Sequence, residues 1–417
     1  MENAQLNPAG LGNWQTRPYH RKWLAGAADG LFDLFQYRAV HANGGFIDLD
    51  PLGNPIHPEN PVRPIHGTAR MVHCFAIASL LGRPGADEIV DHGMRFIWER
   101  LRDTKQGGYF WAVDNDGPKD STKQGYGHAF VLLAASSAKI VGHPLADRML
   151  EDITEVLNSR FWEERHGAIT EEFSREWVAV PNYRGQNSNM HLTEALMAAF
   201  EATGDKSYLT KAESIAELII HKRAGELGYR VAEHFDENWQ MLLDYQGSEM
   251  FRPSGATPGH WLEWSRLILQ LWVLGGKKHD WMPDASVALF RNAVELGWDH
   301  WKGGLHYTLD WNNQPIMRHK LWWPMCEGAG AAAFLNEHRP DAFHEAWYRR
   351  LWGSIAQHYI DHEHGGWFEE LDADLKPSHK LFVGKADIYH ALQACLIPLF
   401  PATGSLTRVI PEAGGRI

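Results

Sequence analysis

Side chains capable of acid–base chemistry recur along this chain near the start of strongly apolar segments. His260 and Glu263 stand three residues apart in PGHWLEW, a spacing that places both on one side of a helix. Counting this pair, the six segments carry Arg70 and His73, Tyr126 and His128, Asn187 and His191, His260 and Glu263, Trp322 and Glu327, and Asp387 and His390. One member of each pair, at positions 70, 128, 191, 260, 327 and 390, gives steps of 58, 63, 69, 67 and 63 residues. This regular spacing predicts that helices distant along the chain bring these side chains to one polar site.

The residue types at this site favour proton transfer. His191, His260 and His390 indicate acid–base catalysis near neutral pH, because an imidazole with a pKa of about 6.5 can both accept and donate a proton. Glu263 and Glu327 could instead supply the two carboxyl groups, about 5 to 10 Å apart, that glycosidases use, but the histidines would then have no role. The sequence has no HExxH or HxxxH pair at the site and no glycine-rich nucleotide motif after a strand. We therefore expect neither a metal nor a nucleotide cofactor.

A short glycine-containing segment recurs six times and organises the chain. The copies are GGFIDLD from Gly44, GGYFWAVD from Gly107, HGAITEEF from His166, LGYRVAEHF from Leu227, GGLHYTLD from Gly303 and GGWFEELD from Gly365. The glycines at 45, 108, 167, 228, 304 and 366 are 63, 59, 61, 76 and 62 residues apart. Glycine followed by alternating aromatic, β-branched and acidic residues predicts a tight turn that leads into a short strand.

Two helical patterns lie between successive copies of this segment. The first is apolar on nearly every face, as in HWLEWSRLILQLWVLG, and the second is amphipathic, as in ADEIVDHGMRFIWERLRD. A further amphipathic helix, roughly Tyr19 to Arg38, precedes the first copy. Six inner and six outer helices predict an all-α fold, an (α/α)6 barrel with short β-hairpin segments in its connecting loops. We expect one catalytic domain over residues 1–417, with the polar helix starts together at one end of the barrel.

Composition narrows the class of protein. The chain has 417 residues and a net charge of -12, and its 40 Lys and Arg are spread along the sequence, which argues against a nucleic-acid partner. No apolar run approaches the roughly 18 residues of a membrane span, and the N-terminus does not resemble a signal peptide, so we expect a cytoplasmic protein with no membrane partner. Cys74, Cys326 and Cys395 stand far apart in apolar sequence and are predicted to be buried free thiols.

Seven motifs, in order along the chain, resemble the N-acylglucosamine 2-epimerase superfamily. They run from Arg70 to Cys395 and are RMVHCFAIA, GYGHAF, NSNMHLTEA, PGHWLEW, KLWWPMCEG, GGWFEELD and KADIYHALQAC. The DxYHAxQA form of the last motif is similar to the aldose–ketose isomerase branch of that superfamily. The resemblance implies an (α/α)6 barrel and catalysis through a cis-enediolate without a metal or redox cofactor. It implies a monosaccharide partner, with D-mannose and D-fructose, and also D-lyxose and D-xylulose, as the interconverted sugars; a homodimer is compatible with it.

The resemblance also implies a role for each matched residue. His390 corresponds to the histidine that moves a proton between C2 and C1, and His260 to the partner acid–base at ring opening and on the oxygens. Glu263 would orient the His260 ring or accept a substrate hydroxyl, and Arg70 would stabilise the oxyanion at O1 or O2. The matched sugar-binding positions are Tyr126, Asn187, His191, Trp322 and Glu327, with Arg252 added from the loop ahead of the His260 helix.

Several alternatives stay open at this stage. One base that returns the proton to C1 on the same face isomerises the sugar, whereas two bases on opposite faces epimerise C2, and motif spacing does not separate these schemes. A sulfoquinovose isomerase would need additional cationic or amide groups near C6. A helical-barrel glycoside hydrolase that acts through Glu263 and Glu327 and a non-catalytic sugar-binding protein are the candidates from other classes.

Overall fold

Twelve helices alternate between an inner and an outer ring in the computed structural model, which describes residues 12–180 and 182–415. The inner helices are α2 (Ile65–Leu80), α4 (Gly125–Ile140), α6 (Gln186–Thr203), α8 (Pro258–Leu274), α10 (Trp322–His338) and α12 (Tyr389–Leu396). The outer helices are α1 (Pro18–Arg38), α3 (Ala86–Phe96), α5 (Ala146–Val156), α7 (Lys206–Ala216), α9 (Trp281–Leu296) and α11 (Ala342–Ser354). Contacts between α2 and α12 close the inner ring, which confirms the predicted (α/α)6 barrel.

One further helix follows the twelfth helix of the barrel. A short helix, α13 (Leu406–Glu412), contacts α2, α4 and α6. The predicted domain bounds of 1–417 include residues 1–11, 181, 416 and 417, which lie outside the described residues, and the single domain stays a prediction. Among the described residues, no helix is both long and apolar enough to cross a membrane.

Burial separates the two rings as the sequence pattern predicts. On α8, Leu262, Leu267 and Ile268 are all 0% exposed although they point in different directions around the helix, because the ring surrounds it. Each buried apolar side chain of this size contributes about 1.5 to 3 kcal/mol to folding. On α3, by contrast, only the stripe that faces the ring is buried. The three cysteines are buried and free, also as predicted.

Short strands connect each repeat to the next. The strands are β1 (Arg63–Pro64), β2 (Ala112–Val113), β3 (Pro118–Asp120), β4 (Lys123–Gln124), β5 (Trp162–Glu163), β6 (Ala168–Ile169), β7 (Glu172–Phe173), β8 (Arg184–Gly185), β9 (His234–Phe235), β10 (Thr308–Leu309), β11 (Pro315–Met317), β12 (Lys320–Leu321) and β13 (Glu370–Leu371). Strands that lead into an inner helix pair antiparallel with the strand after the next glycine turn, in the pairs β1–β2, β4–β7, β8–β9 and β12–β13. The Leu49–Lys385 bridge joins the first repeat to the last in the same way.

The repeated glycines form the predicted turns. Gly108 has a φ of +67°, and a Cβ there would lie 2.8 Å from the Trp177 ring and 3.0 Å from His128. Only glycine adopts this left-handed conformation without cost and fits so close to an aromatic ring.

A buried ion pair supports several of these turns, and the sequence pattern did not predict it. In three repeats, an aspartate that follows the outer helix forms an ion pair with a lysine that precedes the next inner helix. The pairs are Asp103 with Lys123 at 3.1 Å, Asp299 with Lys320 at 2.9 Å, and Asp361 with Lys385 at 2.7 Å. Each aspartate also accepts two backbone N–H groups of its own turn. The pairs therefore fix the loops that carry the inner helix starts.

These aspartates should make the protein sensitive to acid. Burial raises the pKa of Asp299, but the hydrogen bonds from Lys320 and the turn backbone outweigh it and lower the pKa to about 2. A folded-state pKa below the unfolded value of about 4 gives stability that is complete above about pH 4 and is lost as the pH falls toward 2. We expect the urea midpoint to fall from pH 4 to 3, and to fall less in Asp299→Asn/Lys320→Met than in the wild type. A midpoint indifferent to pH in that range would contradict this assignment.

Candidate active site

The starts of all six inner helices surround one cavity of about 430 Å³. Eight of the ten predicted site residues line it: Arg70 from α2, Tyr126 from α4, Asn187 and His191 from α6, His260 and Glu263 from α8, Trp322 from α10, and His390 from α12. Arg70 and His390, which are 320 positions apart in the chain, therefore border the same space. The volume suits a monosaccharide with a few water molecules.

A buried carboxylate holds His390. Nδ1 of His390 lies 2.8 Å from Oε1 of Glu327, and Nε2, on the opposite edge of the ring, lies 3.7 Å from Oδ2 of Asp387. Glu327 is 2% exposed and lies beneath the histidine, so it does not line the cavity. The resemblance implied a sugar-binding role for Glu327; the structure gives its carboxylate to His390 and Arg266 instead.

A second carboxylate holds His260. Nδ1 of His260 lies 2.9 Å from Oε2 of Glu233, which also accepts a hydrogen bond from the amide of Gln186. Trp264 fixes that amide by donating to its oxygen at 2.7 Å. The expected partner Glu263 makes no hydrogen bond to His260, because its carboxyl group turns toward His191 at 3.6 Å. Glu233 was not predicted as a site residue.

His260 and His390 flank the same aromatic ring. The ring centroid of Trp323 lies 4.9 Å from that of His260 and 6.0 Å from that of His390. Both imidazoles also border the cavity with their Nδ1 atoms engaged by buried carboxylates. Two acid–base groups can therefore reach one small ligand from neighbouring positions.

Burial sets the protonation of the groups between these histidines. Burial and the neighbouring Glu327 raise the pKa of Glu263 well above its usual value, which favours the neutral form of its carboxyl group. Burial lowers the pKa of His191 to about 4, against the smaller opposing effect of Glu194, so His191 is neutral as well. A neutral Glu263 can donate a hydrogen bond to a ligand oxygen, whereas the sequence suggested that it accepts one.

Arg70 carries the positive charge at the cavity wall. Its guanidinium donates to Asp387 at 3.0 Å and to the Tyr126 hydroxyl at 2.8 Å, and it lies 4.4 Å from the centre of the Phe130 ring. Burial by itself would lower the pKa of Arg70, but the effects of Tyr126 and Asp387 are larger in sum. The pKa of Arg70 is therefore raised above its usual value. A fixed cation of this kind stabilises negative charge that develops on a ligand oxygen.

One group of side chains could hold a metal ion. His191, Glu194 and Glu263 each place one ligand atom within 4.8 Å of the others, and all three are buried. Arg266 lies 3.7 Å from Glu194, so a bound cation would be repelled by a guanidinium that is already there. This arrangement suits the trio poorly to a divalent metal.

Arg252 lies outside the main cavity. Its guanidinium donates to Glu172 at 2.9 Å and covers the ring of Tyr183 at 4.4 Å. These groups line an adjoining space of about 330 Å³ that shares Tyr126 and Asn187 with the main cavity. Of the predicted FRPSG loop, Phe251 and Pro253 border the main cavity.

The repeated segment supplies cavity residues that were not predicted. The residue three positions after the turn glycine lines the cavity in four repeats, as Asp48, Trp111, Tyr307 and Glu369. The reason is in the backbone: the first N–H of α2 donates to the carbonyl of Trp111 at 2.9 Å, and that of α10 to the carbonyl of Glu369 at 3.2 Å. A residue bonded to a helix start must lie at the same end of the barrel. The regular position after glycine could have revealed these residues from the sequence.

Together these groups can move protons on a polar ligand. Two carboxylate-held imidazoles supply a base and an acid, Arg70 supplies a fixed positive charge, and neutral Glu263 supplies a donor. The aromatic side chains of Trp111, Trp322 and Trp323 also line the cavity. The arrangement suits proton abstraction from carbon next to a carbonyl group.

Comparison with known proteins gives consistent matches. The sequence model of the N-acylglucosamine 2-epimerase (GlcNAc 2-epimerase) family matches residues 44–394. The D-mannose isomerase of Pseudomonas cannabina pv. alisalensis is 42% identical over 402 residues, 94% of this chain and 96% of that protein. The D-mannose isomerase of Thermobifida fusca is 40% identical over 409 residues, 96% of this chain and 99% of that protein. A crystal structure of a D-mannose isomerase superposes with a TM-score of 0.86 at 31% identity, covering 92% of this chain and 99% of the other.

Proposed function

Because the chain belongs to the N-acylglucosamine 2-epimerase family, we propose that it is an aldose–ketose isomerase that interconverts D-mannose and D-fructose. The observation that supports this reaction most is the pair His260 and His390, each held by a buried carboxylate at the edge of one sugar-sized cavity. D-Lyxose and D-xylulose form the second expected pair, since D-lyxose has the configuration of mannose at C2, C3 and C4.

The proposed reaction begins with ring opening. His260 takes the proton of the O1 hydroxyl and delivers a proton to the ring oxygen O5, which frees the C1 aldehyde. Neutral Glu263 donates a hydrogen bond to a sugar oxygen at this stage. Glu233 keeps Nδ1 of His260 engaged, so that Nε2 is the nitrogen that meets the substrate.

Isomerisation follows on the open chain. Nε2 of His390 removes the proton from C2, and the electron pair of the C–H bond forms a C1–C2 double bond while negative charge moves to O1. Arg70 stabilises that charge, because its guanidinium is fixed by Asp387 and Tyr126 before the charge appears. His260 moves a proton from O2 to O1, and His390 returns its proton to C1 on the same face, which gives the ketose. One positioned acid–base group typically contributes about 10² to 10⁴-fold to such a rate.

Incubation of the enzyme with D-mannose in D2O tests the proposed function. We expect fructose by NMR, with deuterium at C1 of fructose and at C2 of the recovered mannose, to the extent that the proton on His390 exchanges with solvent. Glucose formed without fructose would indicate C2 epimerisation instead. Unchanged mannose would reject the proposed substrate and make sulfoquinovose the next sugar to test.

A glycoside hydrolase remains the alternative from another class, and it makes an opposite prediction. Release of reducing ends from a disaccharide that is lost in Glu327→Gln and kept in His390→Ala would support hydrolysis. The position of Glu327 beneath His390, in contact with Arg266, favours the isomerase. A cytoplasmic location and a homodimer stay predictions.

A further inference from the structure

Arg266 lies beneath the site, one helical turn beyond Glu263 on α8, and is 2% exposed. Its Nε and Nη2 donate to the same atom, Oε2 of Glu327, at 3.1 and 3.0 Å. Nη2 also lies 3.7 Å from Oε1 of Glu194 on α6. The side chain therefore links three inner helices without bordering the cavity.

Glu327 lies between Arg266 and His390 and uses a different oxygen for each. Oε2 accepts from Arg266, and Oε1 lies 2.8 Å from Nδ1 of His390. An ionised carboxylate can only accept hydrogen bonds, so Nδ1 must then carry a proton, and in the neutral imidazole Nε2 carries the lone pair. A protonated Glu327 could donate to Nδ1 instead, which would place the proton on Nε2 and remove the base from the cavity side of the ring.

The charges around Arg266 explain why its contact matters. The groups that face it are Glu327 from α10, Glu194 from α6, Glu263 from its own helix, Tyr389 from α12 and His73 from α2. Burial raises the pKa of Glu327, but Arg266 and the hydrogen bond to His390 outweigh it and hold the pKa below its usual value. Glu263, which Arg266 does not touch, has its pKa raised by the same burial. Contact with the guanidinium is therefore one difference between the carboxyl group whose pKa is lowered and the one whose pKa is raised.

We propose that Arg266 is a positioning residue for proton transfer, which keeps Glu327 ionised and thereby makes His390 present Nε2 to the sugar as a base. Arg266 acts through Glu327 and does not touch the substrate. This role rests on the proposed isomerase function, in which Nε2 of His390 removes the C2 proton. A merely structural role, in which the guanidinium only holds three helices together, is the competing explanation.

A double-mutant cycle separates the two explanations. Arg266→Met and Glu327→Gln should each lower kcat for mannose by about 10²-fold or more, with a much smaller change in KM, because both remove the base form of His390. If Arg266 acts through Glu327, adding Arg266→Met to Glu327→Gln should cost less than about threefold more. Losses that multiply in the double variant would overturn the proposal.

Arg63→Met is the matched control, since Arg63 is another buried arginine, 0% exposed, that binds the Gly44 carbonyl and Asn115 away from the cavity. It should lower the melting temperature and leave the kcat of the folded fraction within about threefold of wild type. Equal losses of kcat in Arg63→Met and Arg266→Met would mean that both report general damage to the barrel.

Arg266→Lys keeps the charge and gives a test that does not depend on Arg266→Met being folded. The kcat of Arg266→Lys should be at least about tenfold higher than that of Arg266→Met. If Arg266→Met is insoluble, the kcat of Arg266→Lys should instead exceed that of Glu327→Gln by the same factor. A lysine variant as slow as Glu327→Gln would overturn the proposal. A wild-type enzyme that leaves mannose unchanged in D2O would reject the proposed function. The Arg266 proposal fails when the wild type is active and the cycle is additive, Arg266→Lys is as slow as Glu327→Gln, or Arg63→Met loses as much kcat as Arg266→Met.

Discussion

Replacing His390 with asparagine is expected to lower kcat for the conversion of mannose to fructose by about 10² to 10⁴-fold. Asparagine can still hydrogen-bond to Glu327, but its amide cannot accept a proton from C2. KM should change far less, because the remaining cavity groups still bind the sugar. A ketose assay gives the rate, and NMR in D2O should show loss of deuterium incorporation at C2 of mannose in the same proportion.

His344→Asn serves as the control for this prediction. His344 is 3% exposed on the outer helix α11, and its Nδ1 lies 2.8 Å from the carbonyl of Arg339, far from the cavity wall. Its replacement should affect stability and leave kcat near the wild-type value. Should His390→Asn retain more than about a tenth of the wild-type kcat, His390 is not the base that acts at C2.

Replacing Asp103 with alanine is expected to lower the free energy of unfolding by about 3 to 5 kcal/mol. Asp103 and Lys123 are 1% and 0% exposed, so the change would leave a buried ammonium group without its counter-ion. Burial already lowers the pKa of Lys123 to about 8 despite the opposing effect of Asp103, which shows how little that environment favours a charge. The variant also loses two backbone hydrogen bonds of the turn at Lys105 and Gln106.

Urea unfolding at pH 7 measures this loss against Asp374→Ala. Asp374 pairs with Lys302 at 2.8 Å, yet the two side chains are 62% and 57% exposed, and surface pairs contribute about 0 to 1 kcal/mol. Both variants remove an ion pair with a lysine, but Asp103→Ala removes a buried one and also removes the contacts with Arg175 at 2.8 and 3.2 Å and with the turn backbone. A loss below about 1 kcal/mol for Asp103→Ala would mean that Lys123 reaches water or another acceptor once its partner is removed.

The sequence determined the periodic features of this protein. Apolar spacing identified both rings of helices, and the recurring glycines identified their turns, because each is a local pattern that repeats every 60 residues or so. The same period predicted that His260, His390 and Arg70 lie at one end of the barrel. Asp48, Trp111, Tyr307 and Glu369 recur with this period too, each three positions after a turn glycine, so their place at the cavity could also have been predicted.

The tertiary structure decided which groups hold these side chains and which of them are charged. Glu233 rather than Glu263 binds His260, and Glu327 lies beneath His390 instead of facing the sugar, since these contacts depend on side-chain direction across different helices. Arg252 points to Glu172 for the same reason. Burial raises the pKa of Glu263, whereas Arg266 and His390 hold the pKa of Glu327 below its usual value, and neither effect has a signature along the chain. Protonation depends on the full three-dimensional surroundings of a group, whereas a helix depends mainly on its own neighbours in sequence.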